Sequence, residues 1–423
     1  MKRHPMNSIR PHLQCSLLAC SLLTSAFGGE DIFVDLPAES FPKINNQPEA
    51  FQWLTPLVNL RTRYEHRDLS GFESSNALTA RARIGLTLGS FNGFSATAEV
   101  EATAVLIDDF DSGPGNTTTP NNPGQTLIRD PENRELNRLV VQYKKNGLLV
   151  KVGRQYITRN DLFHIGNVGW RQSEQTYDGA QLAYSNDDYT LSYAYANTAR
   201  RIFGNDADGF VEEFTGDFHI IDASYNSSLG KVGAYAYLLD IDNNAAVGRS
   251  NSYGAFGTFG PLFLEVAIQD GDSSLASGDG SYTALLARGN YTLETEIGTF
   301  SAGIDWRQDD YKTPFQTAHA FFGFADNFLA QQIGLNKNNG FDGIFNSHIK
   351  YTKSGLPGGL TFKGALHYFA SSDLETAYGY EADAVLIKKF NENFTGLAKA
   401  AYFAGDTNFP DIRQFTLDLS YRF

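Results

Sequence analysis

The 423-residue sequence predicts an all-β fold: a transmembrane antiparallel β-barrel of about eighteen strands. Three observations predict it. Segments of roughly ten residues alternate apolar and polar side chains, and a period of two puts one set on each face of a strand. Eighteen such segments can be read, and a single-chain membrane barrel requires an even number of strands of about this length. The links between them alternate short and long, which matches tight turns on one rim and extended loops on the other.

The amino terminus comes first. Lys2, Arg3 and Arg10 precede a mostly apolar run from Leu13 to Ala26, followed by Phe27 and Gly28. A basic start, a short apolar stretch and small residues before the cut describe a secretory signal peptide over 1–28. Both cysteines, Cys15 and Cys20, lie inside it, which excludes a disulfide framework, a thiol nucleophile and cysteine-ligated metal downstream. Residues 29–50 read as an irregular periplasmic lead-in, and 51–423 as one barrel domain. Without Lys2, Arg3 and Arg10, the 34 basic residues fall to 31 against 48 acidic ones, a balance that argues against nucleic acid as a partner. No run reaches the ~20 apolar residues of a membrane helix. The 32 Phe, 21 Tyr and 40 Gly fit a barrel, where only every second strand residue meets lipid.

The strands are predicted near 54–67, 76–88, 94–107, 135–145, 147–155, 177–185, 188–197, 217–226 and 230–240. They continue near 250–259, 261–269, 281–293, 296–307, 343–353, 358–370, 379–390, 394–405 and 412–423. The even-numbered links are short and polar, and most carry the Asn or Gly that tolerates the positive φ of tight hairpins, such as Asn146-Gly147 and Asn391-Glu-Asn393. The odd links include 108–134, 156–176, 198–216 and 308–342. Of these, 108–134 and 308–342 are expected to fold inward and narrow the lumen. The last strand alternates Phe415, Leu417, Leu419, Tyr421 and Phe423 with Thr416, Asp418, Ser420 and Arg422. It resembles the closing strand of bacterial outer-membrane barrels, which implies recognition by the barrel-insertion machinery through Phe423 and residence in the outer membrane of a Gram-negative cell.

Strand faces can be assigned by cost. A lipid-facing arginine costs about 2–4 kcal/mol at the bilayer midplane. Arg61, Arg63 and Arg67 on the first strand, and Arg81 and Arg83 on the second, are therefore expected to face the lumen. Glu99 and Glu101 fall beside them on the third strand. The same argument turns Arg138, Lys144, Lys151, Arg288, Asp305 and Arg307 inward, along with Lys350, Lys363, His367, Glu381, Asp383, Lys399, Asp418 and Arg422. The arginine strip has two readings: cross-strand ion pairs bracing the wall, or a guide for anions in a low-dielectric constriction.

Asp108, Asp109 and Asp111 open the first long loop. This oxygen-rich run is a weak candidate for Ca²⁺ or for bridging to lipopolysaccharide, and reads more simply as a solvated loop. Tyr143, Tyr184, Phe263, Tyr291 and Phe390 at strand ends read as interfacial girdle residues. The chain offers no Gly-x-Ser-x-Gly elbow, no HExxH and no phosphate-binding loop. An enzyme and a bound cofactor are therefore not expected.

Arg129-Asp-Pro-Glu-Asn-Arg-Glu-Leu-Asn137, then Val152-Gly-Arg-Gln155, Trp170 and Tyr177-Asp178-Gly179 resemble the alginate export porin family. Thr313-Pro-Phe-Gln-Thr-Ala-His-Ala-Phe-Phe-Gly-Phe-Ala-Asp326 resembles that family's histidine-containing loop. The resemblance implies an eighteen-stranded passive channel with a lumen suited to an anionic polysaccharide, and the barrel is expected to be a monomer. It also implies a loop anchor at the outer rim, here Arg154, Gln155, Trp170 and Asp178. Where the family commonly has an arginine before the returning strand, this chain has Glu174-Gln175-Thr176. Uptake of small solutes and a non-conducting surface or adhesin barrel remain the alternatives.

Overall fold

The computed structural model describes residues 53–423 apart from 114–119, 208, 275, 277–279, 329–340 and 407–408. The expected signal peptide (1–28) and lead-in (29–50) lie outside the described residues. The eighteen strands are β1 (Leu54–Leu69), β2 (Ser75–Phe91), β3 (Phe94–Asp109), β4 (Asn133–Lys145), β5 (Leu148–Gln155) and β6 (Thr176–Ser185). β7 (Tyr189–Arg200), β8 (Glu213–Ser227), β9 (Gly230–Ile241), β10 (Arg249–Phe259), β11 (Leu262–Asp272) and β12 (Ser281–Thr295) follow. β13 (Gly298–Arg307), β14 (Ile344–Leu356), β15 (Leu360–Ala370), β16 (Ala377–Lys389), β17 (Phe394–Gly405) and β18 (Ile412–Arg422) complete the wall. Each matches a strand expected from the alternation, with ends shifted by four residues or fewer.

Each strand pairs antiparallel with its sequence neighbours, and β1 pairs with β18 from Asn59↔Arg422 to Leu69↔Ile412. Closure leaves no sheet edge, the condition a β-structure must meet in lipid, where no water satisfies an orphan N–H or C=O. The seam ends in a reciprocal pair: Val58 N donates to Phe423 O at 2.9 Å and Phe423 N donates to Val58 O at 2.8 Å. One rim carries links such as 92–93 and 146–147. There Asn92 (φ 51°) and Gly93 (φ 96°), and Asn146 (φ 52°) and Gly147 (φ 80°), hold the paired positive φ of a two-residue hairpin turn. The opposite rim carries 110–132, 156–175, 201–212 and 308–343.

The outer wall is apolar, with Leu139, Val141, Val152, Leu182, Val266 and Leu366 all exposed. The inner wall departs from the expected polar lumen. On β7–β9 its residues are Ala194, Ala196, Phe218, Ile220, Tyr235, Tyr237 and Leu239, buried in one apolar cluster with Phe163, Phe315, Phe321 and Phe322 of the loops. This part of the lumen is packed like a protein core because loops fold down onto it.

Candidate functional site

Register fixes which side chains enter the lumen. On β1 the buried set is Leu57, Asn59, Arg61, Arg63, Glu65 and Arg67, alternating with the outward Leu60, Thr62, Tyr64 and His66. Pairing sets Arg61 opposite Arg81, Asn59 opposite Arg83, and Arg83 opposite Glu101. Arg61, Arg63 and Arg83 are each 1% exposed and Arg81 is 3%. Guanidinium groups so far from water need partners, and a loop supplies them.

Residues 156–175 leave β5 and run into the lumen. Arg61 Nε donates to Gln172 Oε1 at 2.9 Å and Nη1 to Gly169 O at 3.1 Å, while Nη2 donates to Arg171 O. Arg81 and Arg83 both donate to Gln172 O, at 3.2 and 3.1 Å. Arg83 also pairs with Glu101 and, at 2.6 Å, with Glu174. Arg63 grips Asp418 through two bonds of 2.8 and 3.0 Å and reaches Asp130 at 3.3 Å. The strip therefore clamps the loop against the wall; of the expected cross-strand ion pairs it makes Arg63–Asp418 and Arg83–Glu101.

The same loop is held on the far wall. Asp161 pairs with Arg288 at 2.7 Å, and Arg288 also meets Glu265 at 2.7 Å and Asp305 at 3.0 Å. Arg159 pairs with Asp222 at 2.7 Å, and His164 Nε2 lies 2.9 Å from Tyr311 Oη. Burial and the charge of Arg288 push His164 down to about 3. Residues 156–175 are thus a crossbeam fixed at both ends.

The last long loop lies along this beam. Gly166 N donates to Phe315 O at 2.8 Å and Thr317 N to Leu162 O at 3.1 Å. Gly166 is required here, since a Cβ would stand 2.1 Å from Thr317 Oγ1. Arg171 is the hub. It bonds Asp326 at 2.8 Å, Glu65 at 3.2 Å and Asp130 at 3.7 Å, tying two other loops to β1. Burial opposes its charge, but the three carboxylates hold Arg171 well above its usual value. Burial likewise opposes ionisation of Asp326, yet His319, Arg171 and Lys399 keep it well below the usual carboxylate range. Trp170 stacks on His319 (4.4 Å, 6°), with Arg63 3.9 Å and Lys399 3.0 Å from its ring centroid. His319 contacts Lys399 and bonds Asp326 at 2.7 Å.

Several expectations are corrected. The loop that spans the lumen is 156–175, partnered by residues 311–326, whereas the described part of the loop between β3 and β4 contributes mainly Asp130 and the carbonyl of Leu127, which Arg67 binds. Trp170 is deep in this assembly rather than at the rim. Arg154 and Asp178 pair at 2.7 and 2.8 Å on the outward face, in step with Val152, while Gln155 turns inward and donates to Gly179 O. Phe263 faces the lumen beside Arg288, opposite in parity to the exposed Leu264, so it is no girdle residue. Asp109 accepts from Asn76 and Gln125, Asp111 accepts from Gly113 N, and the described residues hold no cluster of metal-ligating side chains. Arg138 (bonded to Glu99), Lys144, Lys151, Arg288, Asp305 and Arg307 lie on the inner face. Sequence reasoning missed Arg171 and Gln172, and quoted His319 and Asp326 within the histidine-containing loop without giving either a role. No periodicity marks them, because they lie in loops.

No family model matches the sequence, and no curated protein does. Solved structures do resemble it. OpdK of Pseudomonas aeruginosa, solved with vanillate, superposes with a TM-score of 0.62 at 13% identity, covering 88% of this chain and 98% of that one. OccK2 (OpdF) of the same organism, in complex with glucuronate, gives 0.60 at 13%, covering 87% and 97%. OccAB1 of Acinetobacter baumannii gives 0.63 at 12%, covering 87% and 96%. At such identity the likeness is one of fold: the closed eighteen-stranded antiparallel β-barrel of this chain superposes over most of its length on each of these structures.

Proposed function

We propose that this protein is a passive channel of the Gram-negative outer membrane that admits small anionic solutes, carboxylates foremost. The observation that carries the reading is the crossbeam. A loop braced to both walls by buried ion pairs, with a second loop packed along it, crosses the lumen and narrows it. A polysaccharide strand needs a continuous bore, so this geometry favours small-solute uptake over export of an acidic polymer. Vanillate and glucuronate, held by two channels of the same fold, are both carboxylates. The inner wall supplies fixed charges whose field a low-dielectric passage focuses. Passage is diffusive, with no chemical step, and solute must bind weakly enough to leave.

The test uses purified, refolded protein in planar bilayers and liposomes. A conducting channel with anion preference, permeable to glucuronate and closed to long oligouronates, is the expected result. Passage of long oligouronates restores the polysaccharide reading, and a barrel that carries no current is a surface or structural protein.

A further inference from the structure

Nearly every lumen cation described above is engaged by protein. Two others are not. Lys151, on the inner face of β5, makes no hydrogen bond or ion pair among the described residues, and it is only partly buried. The charged groups that act on it are Arg138, Arg159 and Lys144, all of its own sign. The acids in this region are already taken: Glu99 by Arg138 at 2.8 Å, and Asp222 by Arg159 at 2.7 Å. Register sets Lys151 between Gln142 of β4 and Gln181 of β6, and Gln142 has no partner among the described residues. Lys151 stands only four residues beyond the short turn at Asn146-Gly147.

Arg129 is the second. It lies in the loop between β3 and β4, partly buried, again without a hydrogen bond or ion pair among the described residues. It sits near Arg67, at the outer end of β1, and near Arg171. The acids closest to it, Asp326 and Glu65, are both bonded to Arg171. Burial and these like charges pull Arg129 down to about 10.

Partly buried cations whose neighbouring acids are already bonded to other protein cations attract an anion from outside. We propose that Arg129 and Lys151 are two successive weak stations for the carboxylate of a small solute. Arg129 acts on the outer side of the crossbeam and Lys151, with the Gln142 amide, on the periplasmic side. The assignment rests on the channel reading and moves solute recognition away from the arginine strip, whose donors hold the beam. Two separated sites let a second solute help displace the first, as conduction demands.

The experiment measures block of the KCl current of the full refolded protein by glucuronate. Neither residue has a protein partner to lose, so K151Q and R129Q should refold and conduct. Each should weaken block roughly tenfold, the order of one partly screened charge contact. The double variant should lose about a hundredfold if the stations act independently. K151R should keep most of the block. Unchanged block in both single variants overturns the stations and leaves the channel reading intact. An unmodified protein that prefers cations and ignores glucuronate overturns the channel reading, and the stations with it.

Discussion

Replacing Arg171 by methionine isolates what holds the beam. The substitution keeps volume and removes the charge that meets Asp326 at 2.8 Å, Glu65 at 3.2 Å and Asp130 at 3.7 Å. Breaking a buried ion pair by deleting one partner costs about 3–5 kcal/mol. The remaining contacts soften this: Asp130 keeps Arg63 at 3.3 Å, Asp326 keeps His319 at 2.7 Å, and Glu65 keeps the Gln414 amide at 3.1 Å. About 3 kcal/mol is therefore expected, near the lower end of that range. It would fall on the loop assembly, because the β1–β2 and β1–β18 ladders do not involve Arg171. In single-channel recordings R171M should show larger, noisier open states, with a shift in loop-opening equilibrium of roughly a hundredfold. R171K, a point charge without the fork, should fall between. Gel mobility before and after heating verifies that the barrel is folded. A folded R171M with unchanged conductance and noise refutes the argument that this guanidinium secures the beam.

Three further outcomes follow from the same contacts. Serine at Arg61, Arg81 and Arg83 should loosen the loop and raise conductance while leaving the sign of ion selectivity unchanged; a reversal-potential shift without added noise would return these arginines to a solute-guiding role. Gly166→Ala places a methyl 2.1 Å from Thr317 Oγ1 and should destabilise the paired loops by about 1–3 kcal/mol, with partial recovery in G166A/T317A; normal thermal stability and quiet channels in G166A would contradict that approach. Loop opening should grow more frequent as pH falls from about 6.5 toward 3, because His164 and His319 are both held near 3 by burial while the open loops bind protons at an ordinary value near 6.5. Below about 4, protonation of Asp130 and Asp326, both depressed in the closed loops, adds to it. Noise independent of pH across that range would reject the coupling.

The wall was legible because strand alternation is local. Arg61, Arg63 and Glu65 against Leu60, Thr62 and Tyr64 gives the inner face of β1 without reference to another strand. The Asn-Gly turns fix one rim by backbone conformation alone. The same parity rule turns Arg154 outward with Val152 and Phe263 inward against Leu264, so those two corrections lay within reach of the sequence. On β7 the rule is silent: Ala194 and Ala196 alternate with Tyr193 and Tyr195, all lipid-compatible, and only the loops packed against the alanines decide the face.

The beam was not legible at all. Arg61 meets Gln172 across 111 positions, and Arg171 meets Asp326 across 155. Residues 156–175 carry no repeat that says where they go. By itself, then, the sequence determined an eighteen-stranded wall, its two rims and most of its inner face, because each rests on period two and on residues next to one another. Only the tertiary structure decided that the arginine strip holds a loop, that part of the lumen is filled, and that Arg129 and Lys151 stay unpaired among the described residues. Those outcomes depend on which distant carboxylates and carbonyls reach each buried guanidinium first, and on which cations are left over.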